Sequence, residues 1–99
     1  MARKVVYDSS DPEQVRAAEK QEQDVQNDIR YILKEPRGRR WLYEFIFNTC
    51  HVELPSFVPG DEQTTAFNEG GRAVGQRLLG EIRDAWPAMY IKMLEENQL

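Results

Sequence analysis

Ninety-nine residues make one domain at most, because single domains commonly run to about 100–150 residues. A chain that is 40% apolar and 30% charged can bury one modest core and not two. The net charge of −4 argues against a surface devoted to nucleic acid, no apolar run approaches the ~20 residues that span a bilayer, and the single cysteine, Cys50, excludes an internal disulfide.

The opening Met1-Ala2-Arg3-Lys4-Val5-Val6-Tyr7-Asp8 has basic residues but no apolar h-region. It reads as part of a flexible arm over residues 1–10 and not as a secretory signal, so synthesis inside the cell is expected. The first helix is predicted over about 11–34, with Asp11 as N-cap and Pro12 at the first helical position. Val15, Ala18, Glu22, Val25, Ile29 and Ile32 then recur at heptad spacing, a seam with one polar member, Glu22. Only its later part, from Val25 to Leu33, is apolar enough to be well buried. The first half is expected to project, either solvated or zipped against a like helix.

Pro36 ends that helix and opens the next, predicted over 36–50. Trp41, Leu42, Phe45, Ile46 and Thr49 share one face of it, and Tyr43, Phe47 and Cys50 an adjacent one. A helix apolar over so much of its circumference belongs at the centre of the core. Residues 51–61 read as loop, broken by Pro55, Pro59 and Gly60 and pinned to the core by Leu54, Phe57 and Val58. A third helix follows over about 62–83. The fourth, from Pro87 to about 96, presents Met89, Tyr90, Met93 and Leu94. Residues 97–99 form a tail, with fraying expected from Glu95. The fold expected is all-α: a small bundle of three to four helices, one domain over 11–96, with a projecting, partly heptad N-terminal helix.

The third helix keeps Gly70, Gly71, Gly75 and Gly80 inside a helical pattern. Each interior glycine costs about 1 kcal/mol relative to alanine. Gly71 and Gly75 are four apart and so share a face, where a second backbone can come close. Two readings stand. One is helix packing within the chain. The other is a groove that receives another protein chain.

Catalytic chemistry is not in view. His51 adjoins Cys50, and neighbours on a helix point about 100° apart, which suits neither chelation nor a nucleophile pair. Phosphate-loop and dinucleotide patterns are missing. No catalytic residue, metal or cofactor is predicted. The electrostatic signal lies at residues 30–40, where Arg30, Lys34, Arg37, Arg39 and Arg40 oppose Glu35 alone, a net +4. Residues 8–28 carry seven acids against Arg16 and Lys20. The basic turn is a solvated surface, a contact for an acidic helix of a neighbouring subunit, or a phosphate site using Arg37, Arg39 and Arg40.

Three segments occur in order: Gly38-Arg39-Arg40-Trp41-Leu42-Tyr43, then Phe67-Asn68-Glu69-Gly70-Gly71-Arg72-Ala73-Val74-Gly75-Gln76-Arg77-Leu78-Leu79, then Pro87-Ala88-Met89-Tyr90-Ile91-Lys92-Met93-Leu94-Glu95-Glu96. Over about residues 28–96 the chain resembles a small tailed-bacteriophage family encoded among virion structural genes and best known from Bordetella-type podophages. Gly71 stands where that pattern leads one to expect a larger, often basic residue. The resemblance implies a non-enzymatic component or assembly factor of the particle, made in the host bacterial cytoplasm and located in the virion. Head interior, ejected protein set, head–tail junction and capsid surface are all compatible with it. Other phage structural proteins and further copies of the chain are the partners expected, with nucleic acid a weak secondary one. Val25, Ile29, Ile32, Gly71 and Gly75 are the contact residues predicted. The alternative is a DNA-associated accessory protein acting through the basic turn.

Overall fold

Each helix starts where the sequence supplies a cap or a proline. Helix α1 runs Pro12–Leu33; Asp11 is extended and its carboxylate accepts the Glu13 amide at 2.9 Å. Helix α2, Pro36–Glu44, opens on proline and passes without a break into a π-helical turn, Phe45–Thr49, closed by the Cys50 amide on the Phe45 carbonyl at 2.9 Å. Helix α3, Glu62–Ala85, is capped by Asp61, which accepts both the amide (2.9 Å) and the hydroxyl (2.7 Å) of Thr64. Those two bonds hold the Asp61 carboxyl below the usual range, the hydroxyl contributing most. Helix α4 spans Pro87–Asn97. The computed structural model describes residues 10–98. Residues 1–9 of the expected arm and Leu99 of the expected tail lie outside the described residues. The all-α expectation is met, with four helices and no strand among the described residues.

One buried cluster joins all four helices. Ile29 and Leu33 come from α1, Leu42 from α2, Ile46 from the π turn, Ile82 and Ala85 from α3, and Met93 from α4. Cys50 and Val52 complete it. Within the first helix only Val25, Ile29 and Leu33 reach this cluster. The residues before Val25 therefore run beyond it, and the radius of gyration is 16.3 Å where about 13 Å is normal for a compact domain of this length. The seam bends away from strict heptad spacing: Leu33, four after Ile29, is fully buried, whereas Ile32 is 41% exposed. A straight helix with 3.6 residues per turn drifts off a 3.5 repeat when no supercoiled partner enforces it.

Two expectations about the core are corrected. Trp41 is not in it, being 62% exposed, and Thr49 is exposed as well. The buried face of this helix is Arg39, Leu42, Ile46 and Cys50, and Trp41 points away from that line. The loop is pinned by Val52 and not by Leu54 and Phe57, both of which are exposed. Local backbone geometry explains the difference. His51 turns left-handed (φ 53°), the Val52 amide reaches back to the Ile46 carbonyl at 3.5 Å, and the chain folds over with Val52 inward.

A left-handed conformation costs a side-chain-bearing residue about 1–2 kcal/mol, and glycine gives back about 0.5–1 of that through its greater freedom when unfolded. His51→Gly is therefore expected to stabilise the protein by about 0.5 kcal/mol net. An upward shift of the urea midpoint at unchanged slope checks it.

Candidate interaction surface

The fold divides the basic turn into anchored and free cations. Arg39 is only 3% exposed. Its Nε and Nη2 donate to the two carboxylate oxygens of Glu96 at 2.6 and 2.8 Å, and its Nη1 donates to the Leu33 and Lys34 carbonyls at 2.8 and 3.2 Å. One guanidinium thus satisfies carbonyls that end α1 and ties them to the last turn of α4. The fork holds the Glu96 carboxyl below its usual range, chiefly through the hydrogen bonds, and raises Arg39 further above its own. Arg39 therefore does not share a surface with Arg37 and Arg40, the trio proposed from the sequence. Glu96, placed in a fraying tail by the sequence, is instead anchored within α4.

Arg30 donates from Nε to the Ala85 carbonyl at 2.7 Å and so caps the end of α3. Lys34 lies 5.7 Å from the ring centre of Tyr31. Arg37 and Arg40 remain exposed, with no ion pair among the described residues.

Those two arginines flank an apolar ridge. Arg37, Trp41 and Phe45 follow one another at i, i+4, i+8 along α2 and the π turn. The Trp41 and Phe45 rings stack with centroids 5.3 Å apart and planes at 5°. Gly38 borders the ridge, and a Cβ there would run into the Ile32 carbonyl and its Cγ2 methyl. The glycine lets α2 meet the end of α1 through backbone contact and lays the exposed Ile32 beside the ridge. Exposed tryptophan next to free arginine is the composition that carries most binding energy in protein interfaces.

The other predicted contact residues fall elsewhere. Ile29 is inside the core and Val25 is half-buried against it. Gly75 is buried, and a Cβ on it would collide with Cγ1 of Val52 and approach Cβ of Cys50 to 2.7 Å. Of the two glycine readings, the structure shows packing within the chain at Gly75, with the 50–52 turn as the occupant where a helix was expected. Arg72 locks that turn by donating to the Val52 carbonyl at 3.2 Å. Gly71 is looser, 3.9 Å from the Cys50 carbonyl, and nothing lies within 4 Å of a Cβ on Gly70. Beside it, Leu54 and Phe67 line a shallow hollow with Gly71, with Phe67 82% exposed, and Phe57 is exposed on a neighbouring one.

Cys50 is buried and His51 exposed, so the pair does not converge. No group of three metal-ligating side chains occurs among the described residues, and no helix there is long and apolar enough to cross a membrane.

The sequence reading missed Gly38, Glu96 and the exposure of Trp41. A signal for the last was present. Arg39, Leu42 and Ile46 keep core spacing, and a single charged residue inside such spacing points to a buried ion pair and turns Trp41 outward.

The family model described as Bbp19-like phage protein matches residues 30–95, about two thirds of the chain. The matched stretch begins in the last turn of α1 and ends within α4, so it takes in the Arg39–Glu96 anchor's first residue and the whole of α2 and α3. No curated protein and no solved structure matches the chain.

Proposed function

The chain belongs to the Bbp19-like phage protein family, and from that membership we propose that it is a non-enzymatic structural or assembly protein of the virion, acting through protein–protein contacts. The family match carries this reading. The surface supports it: Trp41, Phe57 and Phe67 are each more than 60% exposed on a chain this small, and exposed aromatic side chains in patches mark contact sites. The head interior, with the proteins ejected alongside the genome, and the head–tail junction are the locations that suit a small helical contact module. It is made in the host cytoplasm and needs no cofactor for such a role.

A DNA-associated accessory function is the second reading, favoured by Arg37 and Arg40 beside an exposed tryptophan. Burial of Arg39 removes one of its three cations, and the whole-chain charge of −4 opposes it. Mass spectrometry of purified particles is expected to detect the protein in many copies. Its absence from particles overturns the virion role. Binding to DNA that falls steeply with salt, by protein found only in infected cells, supports the second reading.

A further inference from the structure

Two surfaces of this chain stand outside the core cluster, have no partner element among the described residues, and are complementary. The first is the ridge on α2, where Trp41 stands exposed one turn after Arg37 and next to Arg40, with Phe45 stacked behind it. The second is the part of α1 before Val25, whose apolar stripe continues the buried face of that helix beyond the core cluster. Val15 and Ala18 on this stripe are not members of the cluster. Glu22 lies on the same stripe and Glu19 beside it, both exposed. Between residues 11 and 28 six acids stand against Arg16 and Lys20, and Lys20 is already paired with Asp24 at 3.0 Å.

We propose that the Arg37–Trp41 ridge of one copy docks on the acidic first half of α1 of a second copy. The proposal rests on the reading of the chain as a contact protein and names the partner of its exposed ridge. The spacing matches. Arg37 and Arg40 are three apart on their helix, as are Glu19 and Glu22 on theirs, so two helices laid side by side bring both pairs into register. With the helices antiparallel, Arg37 faces Glu22 and Arg40 faces Glu19, and just beyond those pairs the indole meets the notch left by Ala18, with Val15 one turn further on. Tryptophan burial supplies the affinity, because exposed ion pairs contribute little each, and the charges set register and partner choice.

Charge decides between this occupant and a single-stranded nucleic acid, which the same arginines and indole could stack against. Arg37 and Arg40 share their exposed face with Glu44, which a polyanion would meet at once. Within one copy the ridge and the acidic stripe do not meet, since Trp41 is 62% exposed. Each copy therefore offers one of each surface. Two copies can exchange them, or a ring can close head to tail.

Sedimentation velocity over a series from roughly 1 to several hundred µM tests the contact, since weak specific contacts fall in that range. The parent chain is expected to self-associate, with Trp41 emission shifting to the blue as it does, Trp41→Phe serving to subtract the Trp86 signal. Trp41→Ala is expected to weaken association about tenfold or more. The decisive comparison uses two chains. Arg37→Glu with Arg40→Glu makes both surfaces acidic, and Glu19→Lys with Glu22→Lys makes both basic. Each chain alone is expected to stay monomeric with an unchanged helical circular dichroism spectrum, and an equimolar mixture is expected to associate. A parent chain that stays monomeric throughout overturns the proposal. So does a mixture that fails to associate from two folded chains, and so does a monomeric chain whose Trp41 emission responds to a single-stranded oligonucleotide. None of these results touches the detection of the protein in particles, so the virion reading stands or falls separately.

Discussion

Gly75→Leu is expected to destabilise the protein by about 2–3 kcal/mol, although leucine is the better helix former by about 0.8 kcal/mol. The new side chain begins inside Val52 and Cys50, and both are buried members of the core. Val52 is β-branched and cannot swing its methyl away without lifting the turn. Lifting the turn breaks the Arg72 bond to the Val52 carbonyl and exposes the cluster beneath. Small domains hold only about 5–15 kcal/mol in total, so a loss of this size is visible in any denaturant titration. Gly70→Ala is the matching control. Nothing lies within 4 Å of a Cβ there, so propensity alone acts and the variant gains about 0.5–1 kcal/mol. Equal effects at the two positions would show that the 50–52 turn yields freely and that Gly75 is not a contact glycine.

The same pair of glycines shows how much of the fold the sequence carried. Four helices were legible because each is announced by its own chemistry: Asp11 and Pro12, Pro36, Asp61 with Thr64, and Pro87. The close backbone approach was legible as a fact but not as a place. Helical spacing marks Gly75 as facing something, yet a turn and a neighbouring helix leave the same trace in α3. The occupant was fixed by the left-handed His51, a conformation that histidine's own preferences do not announce. Gly38 was quoted only as part of a motif, because its demand for space comes from Ile32 across a turn of the chain and from no periodicity.

The basic turn was legible as charge and illegible as geometry. Five cations in eleven residues announce a field, but the partners of the two anchored ones lie far along the chain: Ala85 for Arg30 and Glu96 for Arg39. Core spacing marks Arg39 as buried and paired, but nothing local says which distant residue the partner is. What remains after pairing, Arg37 and Arg40 around Trp41, is smaller and more apolar than the cluster the sequence displayed.

Arg39→Met is expected to cost about 2–4 kcal/mol, the largest loss among single polar substitutions in this chain. Methionine keeps the volume of the stem, so the loss reads the guanidinium and not a cavity. Removing it leaves the Leu33 carbonyl without a donor in a place where Leu33 itself is fully buried. Arg39→Lys should recover little, because one ammonium cannot serve a carboxylate and two carbonyls from the same fixed plane. Glu96→Gln should be milder, since the half-exposed end of α4 lets water replace a lost acceptor. Its diagnostic is pH. Glu96 is held below its usual range in the folded protein, so its contribution is complete at neutral pH, above the unfolded value, and is lost as pH falls through the lower folded value. The parent should therefore exceed Glu96→Gln in stability at pH 7, and the two curves should converge in acid, once the pH has fallen through the lowered folded value. Parallel curves at every pH would mean that the Glu96 carboxyl titrates alike in the folded and unfolded chain, and that Arg39 is held by the α1 carbonyls alone.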